Sequence, residues 1–222
     1  MTFVTSIPAV LLYNDVLTQT HFIVGNGDNF NVLFGAFLEM MLIVANLGTA
    51  LVLYPILKRQ NEPLALGYVA ARTMESVFIA IGIVSLLSIV TLHQGAGAHA
   101  GSLVPIGKTL VALHDWTFLL GPGFIVGIGN GLILGYLLYR SGLVPRGLAV
   151  LGMVAGVLLL ASGIAVLLGA FDKGSLPQGI ATIPEFVWEL SLGIYLMVKG
   201  FKPSPLIATD VPPPGALIPA SV

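Results

Sequence analysis

Apolar residues run along this chain in long unbroken blocks, without the alternation of a half-buried strand. A helix that crosses a hydrocarbon core of about 30 Å needs roughly 20 apolar residues at about 1.5 Å of rise each. Five blocks meet that length, at about residues 31–57, 64–92, 116–139, 148–171 and 180–198. A sixth, residues 1–17, is shorter and carries Pro8; it reads as a partial helix. Barrel strands are excluded, because they would be short and would alternate with period two. The predicted fold is all-α: a polytopic transmembrane helical bundle with five full spans plus a truncated N-terminal helix, forming one domain over residues 1–202.

The connections sort the cations. Lys58 and Arg59, Arg140 and Arg146, and Lys199 and Lys202 fall on one side of this topology, whereas only Lys108 and Lys173 fall on the other. The positive-inside rule then makes the first group cytoplasmic, together with the C-terminus. Residues 1–17 have no basic leader and no small-residue cleavage site, so they do not form a signal peptide; the expectation is that Met1 is an internal or truncated start. In the long third connection, Ser102 is expected to cap a helix with Pro105 in its first turn. Leu103, Ile106, Leu110 and Leu113 would share one face of that helix, which would run into the third span and bend at Gly121-Pro122-Gly123. Residues 203–222 hold six prolines and are expected to form a disordered cytoplasmic tail.

Composition sharpens the class. The chain has 222 residues, of which 56% are hydrophobic and only 9% charged, and a mean hydropathy of +0.99. Soluble domains carry about 25% charged residues, so too few are present to cover a water-facing surface. The net charge of −1 leaves no basic excess for nucleic acid. The absence of cysteine removes disulfides, thiolate metal sites and cysteine nucleophiles. The expected partner is the lipid bilayer, with a second copy or another membrane protein as a further candidate; no cofactor is expected.

The charges that remain inside the spans are therefore informative. They are Glu39, Arg72, Glu75, Glu185 and Glu189, joined by the neutral Asn46 and Asn130. Each charge at a helix centre costs about 2.5–3.5 kcal/mol on insertion scales. Helical rise places Glu39 about 7 Å and Glu185 about 6 Å outward of the span centres, with Glu189 near the middle. The same rise puts Asn46 about 3 Å, Asn130 and Glu75 about 4 Å, and Arg72 about 9 Å inward. All of them belong to one central slab and must face the bundle interior. Arg72, Glu75 and Ser76 share a face, Glu185 and Glu189 are stacked one turn apart, and Gly35, Glu39, Leu42, Asn46 and Thr49 lie on one stripe. Four carboxylates share one arginine, so those it leaves unpaired must be protonated, wet or neutralised by a cation. The plainer alternative is a structural Arg–Glu clamp, with the asparagines as helix-packing glue.

Gly123, Gly127, Gly131 and Gly135 form an i, i+4 row that favours close helix packing, and Gly152 and Gly156 repeat it. Gly127-Ile128-Gly129-Asn130-Gly131 lacks the context and the lysine of a phosphate loop. At the outer mouth the candidates are His114, Asp115 and Trp116, with Trp188. Here a histidine and a carboxylate could join Glu39 and Glu185 as hard ligands for a cation; alternatively, Asp115 caps a helix and Trp116 is an interfacial anchor. His21, His93 and His99 are expected in outer loops, solvated. No metal site is assigned, and neither a Ser-His-Asp ordering nor an HExxH motif is present.

Leu53-Tyr54-Pro55-Ile56-Leu57-Lys58, Leu64-Ala65-Leu66-Gly67-Tyr68 and Arg72-Thr73-Met74-Glu75 form one half of a signature. The other half is Tyr136-Leu137-Leu138-Tyr139-Arg140-Ser141-Gly142-Leu143-Val144-Pro145-Arg146, with Pro184-Glu185 and Trp188-Glu189. Over roughly residues 1–202 the chain resembles the bacterial membrane family termed domain of unknown function 4386. The resemblance implies about six spans, a complete first helix that this chain departs from, and the inner membrane of a bacterium; it implies no reaction. Three functions fit the residues: binding or transport of a proton, cation or cationic small solute; a non-enzymatic scaffold or subunit; and an intramembrane lipid-modifying enzyme using His114 and Asp115.

Overall fold

The computed structural model describes residues 2–18, 22–25, 28–95, 97, 100–204 and 207, so His21, His99 and nearly all of the proline-rich tail lie outside the described residues. The described residues form α1 (Thr2–Leu12), α2 (Asn14–Thr18), α3 (Asn29–Leu57), α4 (Glu62–Gly95), α5 (Ala100–Leu120), α6 (Gly135–Ser141), α7 (Arg146–Leu167) and α8 (Leu176–Lys199), with no strand among them. Two π-helical stretches, Gly121–Ile125 and Gly127–Leu134, join α5 to α6. Five rods are long and apolar enough to cross a bilayer: α3, α4, the continuous Ala100–Ser141, α7 and α8. The fold is an all-helical transmembrane bundle.

Local chemistry sets the ends. Asp28 accepts a hydrogen bond from the Phe30 amide at 2.9 Å and caps α3, and Asn61 accepts one from the Leu64 amide at 3.0 Å and caps α4. The α7 helix stops at Leu167, four residues before the expected Phe171. Gly169 takes the left-handed conformation (φ 74°), and the Ala170 amide reaches back to the Ala165 carbonyl at 2.8 Å, closing a Schellman turn. The α8 helix begins four residues earlier than expected, because Pro177 is tolerated in a first turn.

Three expectations about the ends and faces need correction. The N-terminal block is not one helix: it divides at Tyr13 into α1 and α2. Ser102 does not cap α5, which is already helical at Ala100. The inward face of α5 runs through Gly107, His114 and Thr117, whereas Ile106 and Leu113 are exposed.

Beyond Leu120 the rod does not simply bend. Pro122 has no amide hydrogen to donate, and its ring crowds the preceding turn. The ladder shifts to i→i+5 bonding, with the Val126 amide donating to the Gly121 carbonyl.

The glycine row packs this rod on α7. A Cβ on Gly156 would lie 2.6 Å from the Gly127 carbonyl oxygen and 2.8 Å from the Gly131 Cα, so the backbones touch directly. Gly135 packs against Met153 and the Ala149 carbonyl, while Gly123 meets looser contacts, its carbonyl oxygen 3.6 Å from where a Cβ on Gly163 of α7 would lie.

Among the described residues, a small apolar cluster joins Ala36, Ile79 and Ile83, and two larger ones divide the bundle. One, at the end bearing Lys58 and Arg146, joins Leu53, Leu57, Tyr68, Leu137, Leu143 and Trp188. The other, at the opposite end, joins Ala9, Tyr13, Val16, Val32, Leu86 and Ile89. The buried polar residues lie between them.

Gly131→Ala and Gly156→Ala should each lower stability by about 1–3 kcal/mol through overpacking. Gly193→Ala, where an added Cβ meets nothing, should be neutral or slightly stabilising. Thermal melts in detergent micelles test this, and equal melting temperatures for all three variants would contradict the close crossing.

Candidate functional site

Arg72 and Glu75 sit one turn apart on α4, and Asn46 faces them from α3. The Arg72 Nη1 meets the Glu75 Oε2 at 2.7 Å, and its Nη2 donates to the Asn46 Oδ1 at 2.5 Å. The Asn46 Nδ2 closes the ring by donating to the Glu75 Oε1 at 3.0 Å. All three residues are buried. This is a neutral, hydrogen-bonded unit joining two spans, the arrangement that makes buried charge tolerable. Ser76 shares the face, as its spacing predicts, and donates to the Arg72 carbonyl. Thr49, expected on the Asn46 stripe, is exposed instead, because the buried face continues from Asn46 through Ala50, four residues on, and not through Thr49, three on.

The other three carboxylates have no cation of their own in this ring. Glu39 accepts one hydrogen bond, from the Tyr13 hydroxyl at 2.9 Å. Gly35, one turn before Glu39, makes this possible, because a Cβ there would lie 2.6 Å from the Tyr13 ring. Glu189 accepts from the Asn130 side-chain amide across the π-helical stretch. Glu185 is 4% exposed, and neither of its oxygens meets a hydrogen-bond donor from the described residues.

All five charged residues line one cavity of about 370 Å³, together with Asn46. Its walls come from α1, α3, α4, the Pro122 region, Leu159 of α7, and α8. A second cavity of about 480 Å³ lies toward the His114 end, lined by Tyr13, Glu39, His114, Asp115, Lys173 and Gln178 among others. The two share Val10, Glu39, Phe118 and Thr182 as walls. Toward the cationic end, the cluster around Tyr68, Leu137 and Trp188 is tightly packed.

At the His114 end, Asp115 lies inside α5 and so does not cap a helix. It stands 3.8 Å from the His114 Nδ1 and 3.5 Å from the Lys173 Nζ. Lys173, on the α7–α8 connection, also lies over the Trp116 ring, 4.6 Å from its centroid. This cation straps the connection onto α5. Among the described residues, no group of three or more His, Asp or Glu side chains is close enough to hold a metal ion.

Trp188 is not at the outer mouth. It is fully buried in the cationic-end cluster, its indole filling the slot left by the missing side chain of Gly152. His93 is not a solvated loop residue either. It lies in the last turn of α4, with its ring nitrogens 2.8 Å from the Asn29 Oδ1 and 2.9 Å from the Gly25 carbonyl, and so ties down the α2–α3 connection. Sequence reasoning missed Tyr13 and Lys173; the Gly35-x-x-x-Glu39 spacing was the available signal for an aromatic tip reaching a carboxylate.

Fold and cavity define a polytopic helical membrane protein with a carboxylate-lined chamber within the bundle. The model of the family described as Domain of unknown function (DUF4386) matches residues 1–200, and the chain belongs to that family. No curated protein and no solved structure shows a significant match.

Removing Arg72 alone strands the Glu75 charge, so Arg72→Met should cost about 3–5 kcal/mol. The double variant Arg72→Met/Glu75→Gln should recover part of that loss. A double-mutant cycle on unfolding in detergent measures the coupling; strict additivity would dissolve the clamp.

Proposed function

We propose that this protein binds a proton, a cation or a cationic small solute in the central cavity and carries it across a bacterial cytoplasmic membrane. The observation that carries this reading is Glu185: a buried carboxyl group with no hydrogen-bond partner among the described residues, on the wall of a cavity where four acids face one guanidinium. Packing alone gives no reason to keep such a group, because a buried carboxyl without a hydrogen-bond partner is costly whether neutral or charged. A positive ligand offsets that cost directly. Access from one end and a packed apolar cluster at the other describe a bundle open to one side, so release on the far side requires the Trp188 cluster to part.

Orientation follows from charge. Lys58, Arg140 and Arg146 lie over the rings of Tyr54, Tyr136 and Tyr139, at 5.6, 6.0 and 5.9 Å from their centroids. Cations paired with tyrosines at one end match a cytoplasmic membrane interface, and the C-terminus belongs to the same side.

The scaffold reading draws support from the Gly127, Gly131 and Gly156 contact, which serves tight assembly. It accounts for the glycines and for the Arg72 clamp, but not for Glu185.

Glu185→Gln keeps size and shape and removes the charge. It should leave the melting temperature within a few degrees and cut cation-dependent flux into proteoliposomes at least tenfold. Glu189→Gln should act in the same direction. Flux through Glu185→Gln equal to that of the native chain, or native flux no greater than that of protein-free liposomes, would reject transport.

A further inference from the structure

The cavity has a second property besides its charge: most of its wall is hydrocarbon. Ile7, Val10 and Leu11 of α1, Phe118, Leu159 and Phe186 face it together with the carboxylates. A bare proton or a small inorganic ion gains nothing from such a wall. Nor do the acids converge as metal ligands, since among the described residues no three His, Asp or Glu side chains come close enough to share one ion. A chamber of about 370 Å³ adjoining one of about 480 Å³ is instead the size of an organic molecule's site.

The wall also has a side opening. Ile7 and Leu11 are 46% and 70% exposed while lining the cavity, and Thr182 and Phe186 of α8 are likewise both exposed and lining. The α1 helix packs on α3, and α8 packs on α7; α1 and α8 are not among the closely packed pairs. Exposed residues of both helices therefore line the same cavity as Glu185.

We propose that the occupant is an amphipathic organic cation, an amine or quaternary ammonium bearing an apolar tail, which enters sideways between α1 and α8. The ammonium sits against Glu185 and Glu189, and the tail lies along the α1 and Phe118–Phe186 wall. This rests on the cation-binding reading above and names its ligand class. Each methylene buried against the wall contributes about fourfold in affinity, so the tail, more than the charge, sets the selectivity.

The test uses the full chain in lipid nanodiscs, with protein-free nanodiscs as the blank. Tetramethylammonium and butyl-, hexyl- and octyltrimethylammonium are titrated below their micellar concentrations. Sodium, potassium, magnesium and proton pulses form a parallel arm, and octanesulfonate is the charge control. Affinity should rise about fourfold per methylene over the first several carbons, octanesulfonate should not bind, and Glu185→Gln should weaken every ammonium at least tenfold. Phe118→Ala should flatten the chain-length dependence while tetramethylammonium binding is retained. Leu11→Trp should slow octyltrimethylammonium entry more than tetramethylammonium entry. Equal affinity across the alkyl series, or binding of inorganic cations alone, overturns the amphipathic ligand and leaves cation binding standing. Failure of every cation, organic and inorganic, removes both. Tight octanesulfonate binding, or ammonium binding unchanged in Glu185→Gln, also overturns the proposal.

Discussion

A charge inside a bilayer has to find its counter-charge within the protein, and Arg72 is the one guanidinium available to the buried carboxylates described here. It holds Glu75 and Asn46 in a closed ring of hydrogen bonds, which fastens α3 to α4 at mid-depth. With that pair fixed, the positions of the remaining acids follow. Glu39 lies two turns from Asn46 on the same stripe, and α8 brings Glu185 and Glu189 to the opposite wall. Because Glu75 uses both oxygens within the ring, it offers little to a ligand, while Glu185 offers both of its own.

Small residues let the walls come together around this slab. Gly127 and Gly131 bring the π-helical rod onto Gly156 of α7, and the same rod presents Asn130 to Glu189. Gly35 admits the ring of Tyr13, whose hydroxyl then reaches Glu39. Gly152 admits Trp188, which seals the cationic end. In each case a missing side chain on one helix makes room for a specific group on another. Glycine placement thus sets cavity shape as much as backbone approach.

Much of this was legible in the residues. Block length marked the five spans, and a period of three to four put Arg72 with Glu75 and Glu185 with Glu189, because charge in a bilayer is too costly to be scattered. The continuous third rod was also legible from Leu103 onward, though not its inward face: in a lipid environment apolar residues face outward as readily as inward. That same ambiguity misplaced Trp188 at the outer mouth, whereas its indole packs against Gly152 in the cationic-end cluster. Pro122 announced an interruption, but whether a helix answers it with a kink or with an i→i+5 ladder depends on what packs there, here Phe78 against Gly121. His93 and Lys173 act through contacts between segments distant in sequence, which no local spacing reports, and the Gly35-x-x-x-Glu39 spacing marks room for a ring without naming Tyr13.

The structural and functional readings of the buried charges are usually treated as rivals, yet here they fall on different residues of the same cavity. A clamp needs its charges paired: both Glu75 oxygens are used in the ring, although the Arg72 Nε has no partner among the described residues, and removing Arg72 would leave an uncompensated charge. A ligand-binding carboxylate must keep acceptor capacity in reserve, and Glu185 does so at 4% exposure. Glu39 and Glu189 lie between, each with one neutral donor, from Tyr13 and Asn130. Each neutral donor orients its carboxyl group and leaves further acceptor capacity on it, facing the same cavity as Glu185. The four acids are thus satisfied to different degrees, from an ion-paired ring to a carboxyl group with no donor among the described residues, and the proposed ligand is assigned to the least satisfied of them.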